Sequence, residues 1–127
     1  MDVAAPSRSS VFAAPEHLVI CSAGHVLLVP CGEIEWVESA GNYLWLHTRG
    51  ASHRIRGTMA WISSQLDPEK FLRIHRCAMV NASYVEYLEP AAGSAFRGEY
   101  TVVLRGGARL RMSRGHSAVL APRLLTR

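Results

Sequence analysis

Short stretches of alternating apolar and polar residues fill most of the chain, and this period of two predicts β-strands rather than helices. Pairs of turn-forming residues, such as Ala23-Gly24 and Gly41-Asn42, separate the stretches and predict tight connections. Candidate strands lie in ten runs, at 17–22, 25–29, 33–39, 43–48, 52–56, 71–75, 78–80, 84–88, 99–105 and 108–112, and from these candidates we predict about eight short strands.

One face of each predicted strand is apolar, which indicates the side that is turned toward a core. Ile34 and Trp36 alternate with glutamates, so we expect them on one face of their strand. In the next strand Tyr43, Trp45 and His47 are expected on one face, and Leu44 and Leu46 on the other. The residues expected in the core are Trp36, Trp45, Leu46, Met59, Ile62, Phe71, Val80, Val102, Leu104 and Leu110.

The clearest hairpin is predicted around Gly106-Gly107. A loop with an even number of residues would place Arg109 and Arg111 on the apolar face of the partner strand. An odd loop, such as a three-residue turn with a left-handed glycine, places apolar residues opposite one another. We therefore predict the odd loop, with both arginines directed to solvent or to a ligand.

One short helix is predicted, because Thr58 is a favoured N-cap and Met59, Ile62 and Leu66 follow with helical spacing. Ser113 is the cap candidate for a last helical segment. The predicted fold class is therefore mainly β, with small antiparallel sheets and one or two short helices.

A chain of 127 residues has room for one domain. Residues 1–15 are rich in Ala, Ser and Pro and predict a flexible tail before a domain over 16–127. No apolar run reaches the roughly 18 residues that a membrane span requires, and the start of the chain does not resemble a signal peptide. Three cysteines without a CxxC pair favour a reducing cytoplasm.

Charge is distributed unevenly, although the net charge is only +4. Five acidic residues and one basic residue precede position 39, whereas seven arginines and one acidic residue follow position 96. Thirteen of the fourteen basic residues are arginine, whose planar fork suits phosphate and guanine. Codon bias alone explains arginine usage equally well, but it does not explain the asymmetry, which indicates a polyanionic partner.

Motifs for catalysis are weak. The chain has no glycine-rich nucleotide loop and no GxSxG elbow, and its few carboxylates form no convincing acid–base pair. His47 and His53 could face each other across a turn and bind a metal, but no third ligand has a suitable spacing. We therefore expect no catalytic residue, no metal and no cofactor. A redox or metal enzyme around His75 and Cys77 is the weakest alternative.

The segment FLRIHRCAMVN, residues 71–81, sets basic side chains among apolar ones. In an extended chain Arg73 and His75 share a face, and Arg76 lies where the strand breaks. Arginine and histidine on an apolar support suit phosphate contacts and insertion into a DNA groove. A charged strand end at the protein surface is equally compatible with these residues.

Four ordered motifs resemble the LytTR-type DNA-binding domain (LytR/AlgR family), the output module of many bacterial two-component response regulators. They are IEWVESAGNYLWLHT at 34–48, TMAWISSQLDPEKFLRIHRCAMVNASYVEYLE at 58–89, EYTVVLRGGARLRMSR at 99–114 and the closing HSAVLAPRLL. The resemblance runs from about His17 to Leu124. It implies a fold of small antiparallel sheets, and DNA binding by loops in the major groove rather than by a recognition helix.

The resemblance also implies three DNA-contacting loops, at 41–43, 73–76 and 113–116. Arg76 and Arg114 are expected to make paired contacts with guanine or phosphate. Contacts with the DNA backbone, which set affinity but not sequence, are expected from Arg54, Arg56, Arg109 and Arg111. The full set of expected DNA-binding residues is Asn42, Tyr43, Arg54, Arg56, Arg73, His75, Arg76, Arg109, Arg111, Ser113, Arg114 and His116.

The chain departs from the family pattern at two places. Cys77 stands where the family has serine, and Gly115 and His116 stand where a basic or aromatic residue is common. The implied partner is double-stranded DNA, with two copies forming a dimer on paired direct repeats.

The chain is either an output module, with a receiver domain or sensor partner that is not in this sequence, or a stand-alone regulator. The alternative function is a protein-interaction module that uses the same β scaffold without binding DNA.

Overall fold

A computed structural model describes residues 16–90, 99–113 and 115–116, and more than half of this part consists of antiparallel strands. The strands are β1 His17–Ser22, β2 His25–Pro30, β3 Ile34–Ala40, β4 Tyr43–Thr48, β5 Ala51–Arg56, β6 Phe71–His75, β7 Ala78–Asn81, β8 Val85–Pro90, β9 Tyr100–Leu104 and β10 Arg109–Met112. The α-helix of the described part is α1, Met59–Gln65, and single 3-10 turns at Cys31–Glu33 and Ala82–Tyr84 precede β3 and β8. In this part of the chain no helix is long and apolar enough to cross a membrane.

Three antiparallel sheets form the fold. The largest sheet has five strands in the order β5-β4-β3-β7-β6. The second is the β1–β2 hairpin, and the third has three strands in the order β10-β9-β8. The expected mainly β fold of small antiparallel sheets is confirmed. The expected number of strands was wrong, because the described residues contain ten. Each of the ten apolar runs named from the sequence forms a strand, including the short β7, which has a partner strand on each side.

The two faces of the five-stranded sheet carry separate cores. On one face the β1–β2 hairpin and α1 pack through Leu18, Leu44 and Ile62. On the other face the three-stranded sheet packs through Val102 and neighbouring residues. The order of layers is therefore hairpin and helix, large sheet, small sheet.

A β-bulge between Ile34 and Trp36 corrects the expected faces of β3. Ile34 is fully buried in the first core, whereas Trp36 is half-buried and packs on the second. The Trp36 ring stacks on His47 with their centroids 4.1 Å apart. The extra residue of the bulge turns the following side chain to the opposite face, so the simple alternation failed here. Trp45 and Leu110 are also only half-buried, while the remaining expected core residues are buried.

Asn81 shows that part of the FLRIHRCAMVN motif is structural. Its side chain is 3% exposed, its Nδ2 donates to the Ile34 carbonyl at 3.0 Å, and its Oδ1 accepts from the Ser83 amide at 2.9 Å. A buried amide satisfied in this way ties the end of β7 to the start of β3.

The local signals for the helix and the last hairpin are confirmed. Thr58 Oγ1 accepts from the Trp61 amide at 3.0 Å, so it caps α1. In the β9–β10 hairpin the Leu104 amide donates to the Ala108 carbonyl at 2.9 Å, which closes a three-residue loop. Gly107 has φ +99°, the left-handed conformation that the odd loop requires.

Candidate nucleic-acid interface

Antiparallel pairing brings the connections β3–β4 and β6–β7 to one edge of the five-stranded sheet, the edge that is formed by the ends of its strands. They lie side by side because β3 pairs with β7, and beyond the last pair the Ser39 amide donates to the Cys77 carbonyl at 2.9 Å. The end of β5 reaches the same edge beside β4. We call residues 41–42, 56–57, 73, 75–77, 113 and 116 the turn edge, because the side chain of Arg73 bonds the His75 and Arg76 carbonyls and His116 bonds Ser113.

The first connection is the Gly41-Asn42 turn. Gly41 has φ +65°, and the Asn42 carbonyl accepts from the Gly57 amide at 3.1 Å. This bond holds the backbone of the turn in place, and the Asn42 side chain is exposed on it. Next to it, the guanidinium carbons of Arg54 and Arg56 lie 4.6 Å and 5.9 Å from the centre of the Tyr43 ring. These contacts place two exposed cations close to the turn.

The β6–β7 turn is held by side chains of its own segment. Arg73 donates from Nε to the His75 carbonyl at 2.9 Å and from Nη2 to the Arg76 carbonyl at 2.6 Å. The Cys77 amide donates to His75 Nδ1 at 3.2 Å, which leaves Nε2 as the protonated nitrogen of the neutral ring. Arg76 is exposed at the tip.

The third segment joins the edge through the backbone. The Ser113 amide donates to the Ile74 carbonyl at 2.9 Å, next to the end of β6. Ser113 Oγ lies 2.6 Å from His116 Nδ1 and 3.4 Å from the His116 amide, while Gly115 and His116 are helical, in agreement with the predicted cap. Burial lowers the pKa of His116, and the nearby charges of Arg73 and His75 lower it further. Arg114 lies outside the described residues.

Arg109 and Arg111 point to solvent, as predicted, but each guanidinium has a carboxylate partner. Arg109 forms an ion pair with Glu89, and Arg111 forms one with Glu99 at 3.4 Å. Their side chains are 53% and 68% exposed. Arg109 lies four residues before Ser113, which is about 13 Å of extended strand. The structure therefore places this arginine away from the turn edge.

The turn edge thus unites seven of the twelve residues expected to bind DNA, and Tyr43 and Arg54 adjoin it. The seven are Asn42, Arg56, Arg73, His75, Arg76, Ser113 and His116. The sequence did not show that the Gly57 amide holds the Gly41-Asn42 turn. It also did not show that Glu89 and Glu99 form ion pairs with the two arginines of β10. The predicted hairpin register could have identified Glu99 as the partner of Arg111, because it places the start of β9 beside the end of β10.

The register contradicts the suggested pairing of His47 with His53 around a metal. His47 lies opposite Ser52, and His53 lies opposite Leu46, so the two rings are on different faces of the sheet. His47 instead bonds Ser52 through Nδ1 and Glu38 through Nε2, both at 2.9 Å. Across residues 16–90, 99–113 and 115–116, no group of three His, Cys, Asp or Glu side chains is placed to hold a metal ion.

Comparison with known proteins agrees with this architecture. The LytTr DNA-binding domain family model matches residues 24–124. The fold is similar to the LytTr DNA-binding domain of a response regulator from Bacillus cereus, with a TM-score of 0.75 at 15% identity over 88% of this chain and 98% of that one. The sensory transduction protein LytT of Bacillus subtilis strain 168 is 23% identical over 108 residues, which are 84% of this chain. The chain spans 43% of the length of that relative. The protein belongs to the LytTR family of DNA-binding domains.

Proposed function

We propose that the turn edge binds double-stranded DNA sequence-specifically, with its loops in the major groove, and so regulates bacterial transcription. One observation carries the proposal. Residues 41–42, 75–77 and 113 are far apart in the chain, and the fold brings these three predicted DNA-contacting segments to one sheet edge.

The dimensions of the edge suit a groove. In the strand order β4-β3-β7-β6 the two turns are two strand spacings apart, about 10 Å. The major groove is about 12 Å wide, so side chains at the tips of the two turns could both reach into it without a helix. The exposed side chains of Asn42 and Arg76 would then face base edges, where asparagine pairs with adenine and arginine with guanine.

The surrounding cations supply the remaining contacts. Arg56 lies at the edge and Arg54 two cross-strand pairs further in, which suits them to phosphates on one side of the groove. Ser113, Arg114 and His116 would contact DNA from the other side. Arg109 and Arg111 would reach the backbone by exchanging their carboxylate partners for phosphates, since exposed ion pairs contribute little.

Membership of the family supports a proposal for the larger assembly. We propose that residues 16–127 form one DNA-binding domain after a tail at 1–15, and that two copies bind as a dimer on paired direct repeats. A receiver domain or a separate sensor would control it, or it would act as a stand-alone regulator. Its DNA partner places this activity in the bacterial cytoplasm.

The experiment is selection of bound duplexes from a random-sequence pool at near-physiological salt, followed by sequencing. The proposal predicts enrichment of a motif repeated at a fixed spacing. It also predicts that affinity falls steeply with salt, with a logarithmic slope of about −0.9 for each phosphate contacted. Weak binding that enriches no motif would overturn the proposal.

A second candidate, a protein-interaction module without DNA binding, is favoured by the outer face of the β1–β2 hairpin. Val19, Val26 and Leu28 are 65%, 66% and 65% exposed there, and Val19 lies opposite Leu28. Exposed apolar patches of this kind mark contact surfaces. This candidate predicts a stable protein complex and no salt-dependent DNA affinity.

A further inference from the structure

Arg73 is one of the expected DNA contacts, but in the structure its side chain bonds the backbone of its own segment. It lies at a β-bulge of β6, where the register against β7 shifts between Arg73 and His75. Regular ladder pairing is interrupted at a bulge, so carbonyl groups beyond it need other donors. The Arg73 side chain provides them, because it bonds the carbonyls of both His75 and Arg76.

The geometry of these bonds suits arginine alone. The guanidinium is a rigid planar fork, and two of its nitrogens donate to two successive carbonyls at 2.9 Å and 2.6 Å. Both bonds are charge-assisted, which makes them stronger than bonds between neutral groups. A lysine ammonium carries the same charge but lacks the fork, so it does not hold both carbonyls in one fixed arrangement.

We infer that Arg73 is a positioning residue, which fixes the backbone of the β6–β7 turn so that Arg76 is presented to DNA. The Cys77 backbone supports the same turn, since its amide bonds His75 Nδ1 and its carbonyl accepts from Ser39. A side chain carried by a fixed turn loses less entropy when it binds, which strengthens specific binding in particular. The role in DNA recognition rests on the proposed function, whereas the role in the turn does not.

The first test compares Arg73→Lys and Arg73→Gln with the parent on specific and random duplexes over a range of salt. Both variants are expected to lose about tenfold in affinity for the specific duplex, with an unchanged salt slope and unchanged binding to random duplex. Arg54→Gln is the matched control, and it should lower the salt slope by about 0.9 and weaken both duplexes alike. An Arg73→Lys variant that binds like the parent, together with a lower salt slope for Arg73→Gln, would identify a phosphate contact and overturn the inference.

The second test needs no DNA. Amide hydrogen exchange in the free protein should be about tenfold faster or more at Cys77 and Ser39 in both variants, while amides in β9 keep the parent rate. Unchanged exchange at the turn would overturn the inference even if DNA binding were lost. If Arg73→Gln does not fold, Arg73→Lys carries both tests, because it keeps the aliphatic stem and the charge. If the parent itself fails to bind DNA, the proposed function fails while the exchange result still decides the role of Arg73.

Discussion

The turn edge and the β9–β10 hairpin are both rich in arginine, yet the fold uses their charges differently. At the turn edge, Arg73 bonds backbone carbonyls and Arg76 is exposed at the tip. On the hairpin strand β10, Arg109 and Arg111 are paired with Glu89 and Glu99. The comparison teaches that an arginine-rich segment does not by itself make a DNA-reading surface. The deciding factor is what each guanidinium already bonds.

The two regions also differ in how their arginines are placed, although both pack on one core through Ile74 of β6 and Met112 of β10. The turn edge rests on β6, where Ile74 and Leu72 are buried and the Ile74 carbonyl accepts from Ser113. The arginines of β10 alternate with apolar residues and stand on the outside of a three-stranded sheet. We therefore expect substitutions at the turn edge to change DNA specificity, and substitutions in the hairpin to change stability or non-specific affinity.

The largest effect is expected from removing the support of the turn edge. Ile74→Ala deletes a fully buried side chain and should lower the free energy of unfolding by about 2–5 kcal/mol. Leu110→Ala is the matched change on the half-buried side of the hairpin, with an expected loss of about 1–2 kcal/mol. Urea unfolding measures both values. Equal losses would contradict the deeper burial of Ile74 in the core that the two regions share.

Gly107→Ala tests whether the hairpin can be damaged without affecting recognition. A side chain at φ +99° is strained although the space around it is open, so the loss should be about 1–2 kcal/mol. Gly106→Ala is the control, because its φ is not positive and the nearest atom to an added Cβ is 3.7 Å away. Both variants should select the same DNA motif as the parent. A changed motif for Gly107→Ala would show that the hairpin loop takes part in sequence reading.

Replacing the hairpin arginines should have a smaller effect. Arg109→Ala and Arg111→Ala each remove an exposed ion pair, so each should change the free energy of unfolding by about 0–1 kcal/mol. Their affinities for specific and random duplex should fall together, if at all. A selective loss of specific binding, measured by fluorescence anisotropy, would place these residues among the base contacts.

The smallest effect concerns pH. The pKa of His116 is lowered in the folded protein by burial, by Arg73 and by His75, so the unfolded chain binds its proton more readily. The folded state therefore loses stability as the pH falls below the ordinary histidine value of about 6.5. Urea unfolding at about pH 7.5 and about pH 5.5 should show this loss in the parent and a smaller one in His116→Gln. The control His25→Gln, at the far hairpin, should behave like the parent.

Much of the fold follows from local pattern. The bounds of β4 and β6 and the cap of α1 match the sequence predictions, because alternation and capping are properties of neighbouring residues. The odd hairpin loop also followed, since apolar residues had to face one another. The bulge that separates Ile34 from Trp36 did not follow, because alternation along one strand does not show where an extra residue interrupts its pairing with β4.

The site was predictable as a set of residues but not as a division of roles. The motif FLRIHRCAMVN drew attention to Arg73 and Arg76 alike. Only the backbone path of the bulge and turn shows that the first bonds carbonyls while the second is exposed. The carboxylate partner of Arg109 likewise comes from β8, which sequence spacing does not bring near.

The most direct test of the central claim is a parallel selection from random duplexes with the parent, Arg76→Ala and Arg109→Ala. Loss of a paired base contact should reduce discrimination by about 1–3 kcal/mol at the positions that Arg76 reads. We predict that Arg76→Ala relaxes the motif at one or two base pairs in each repeat, while Arg109→Ala selects the parent motif unchanged. If Arg76→Ala discriminates like the parent, or if Arg109→Ala is the variant that loses the motif, the assignment of sequence reading to the turn edge is wrong.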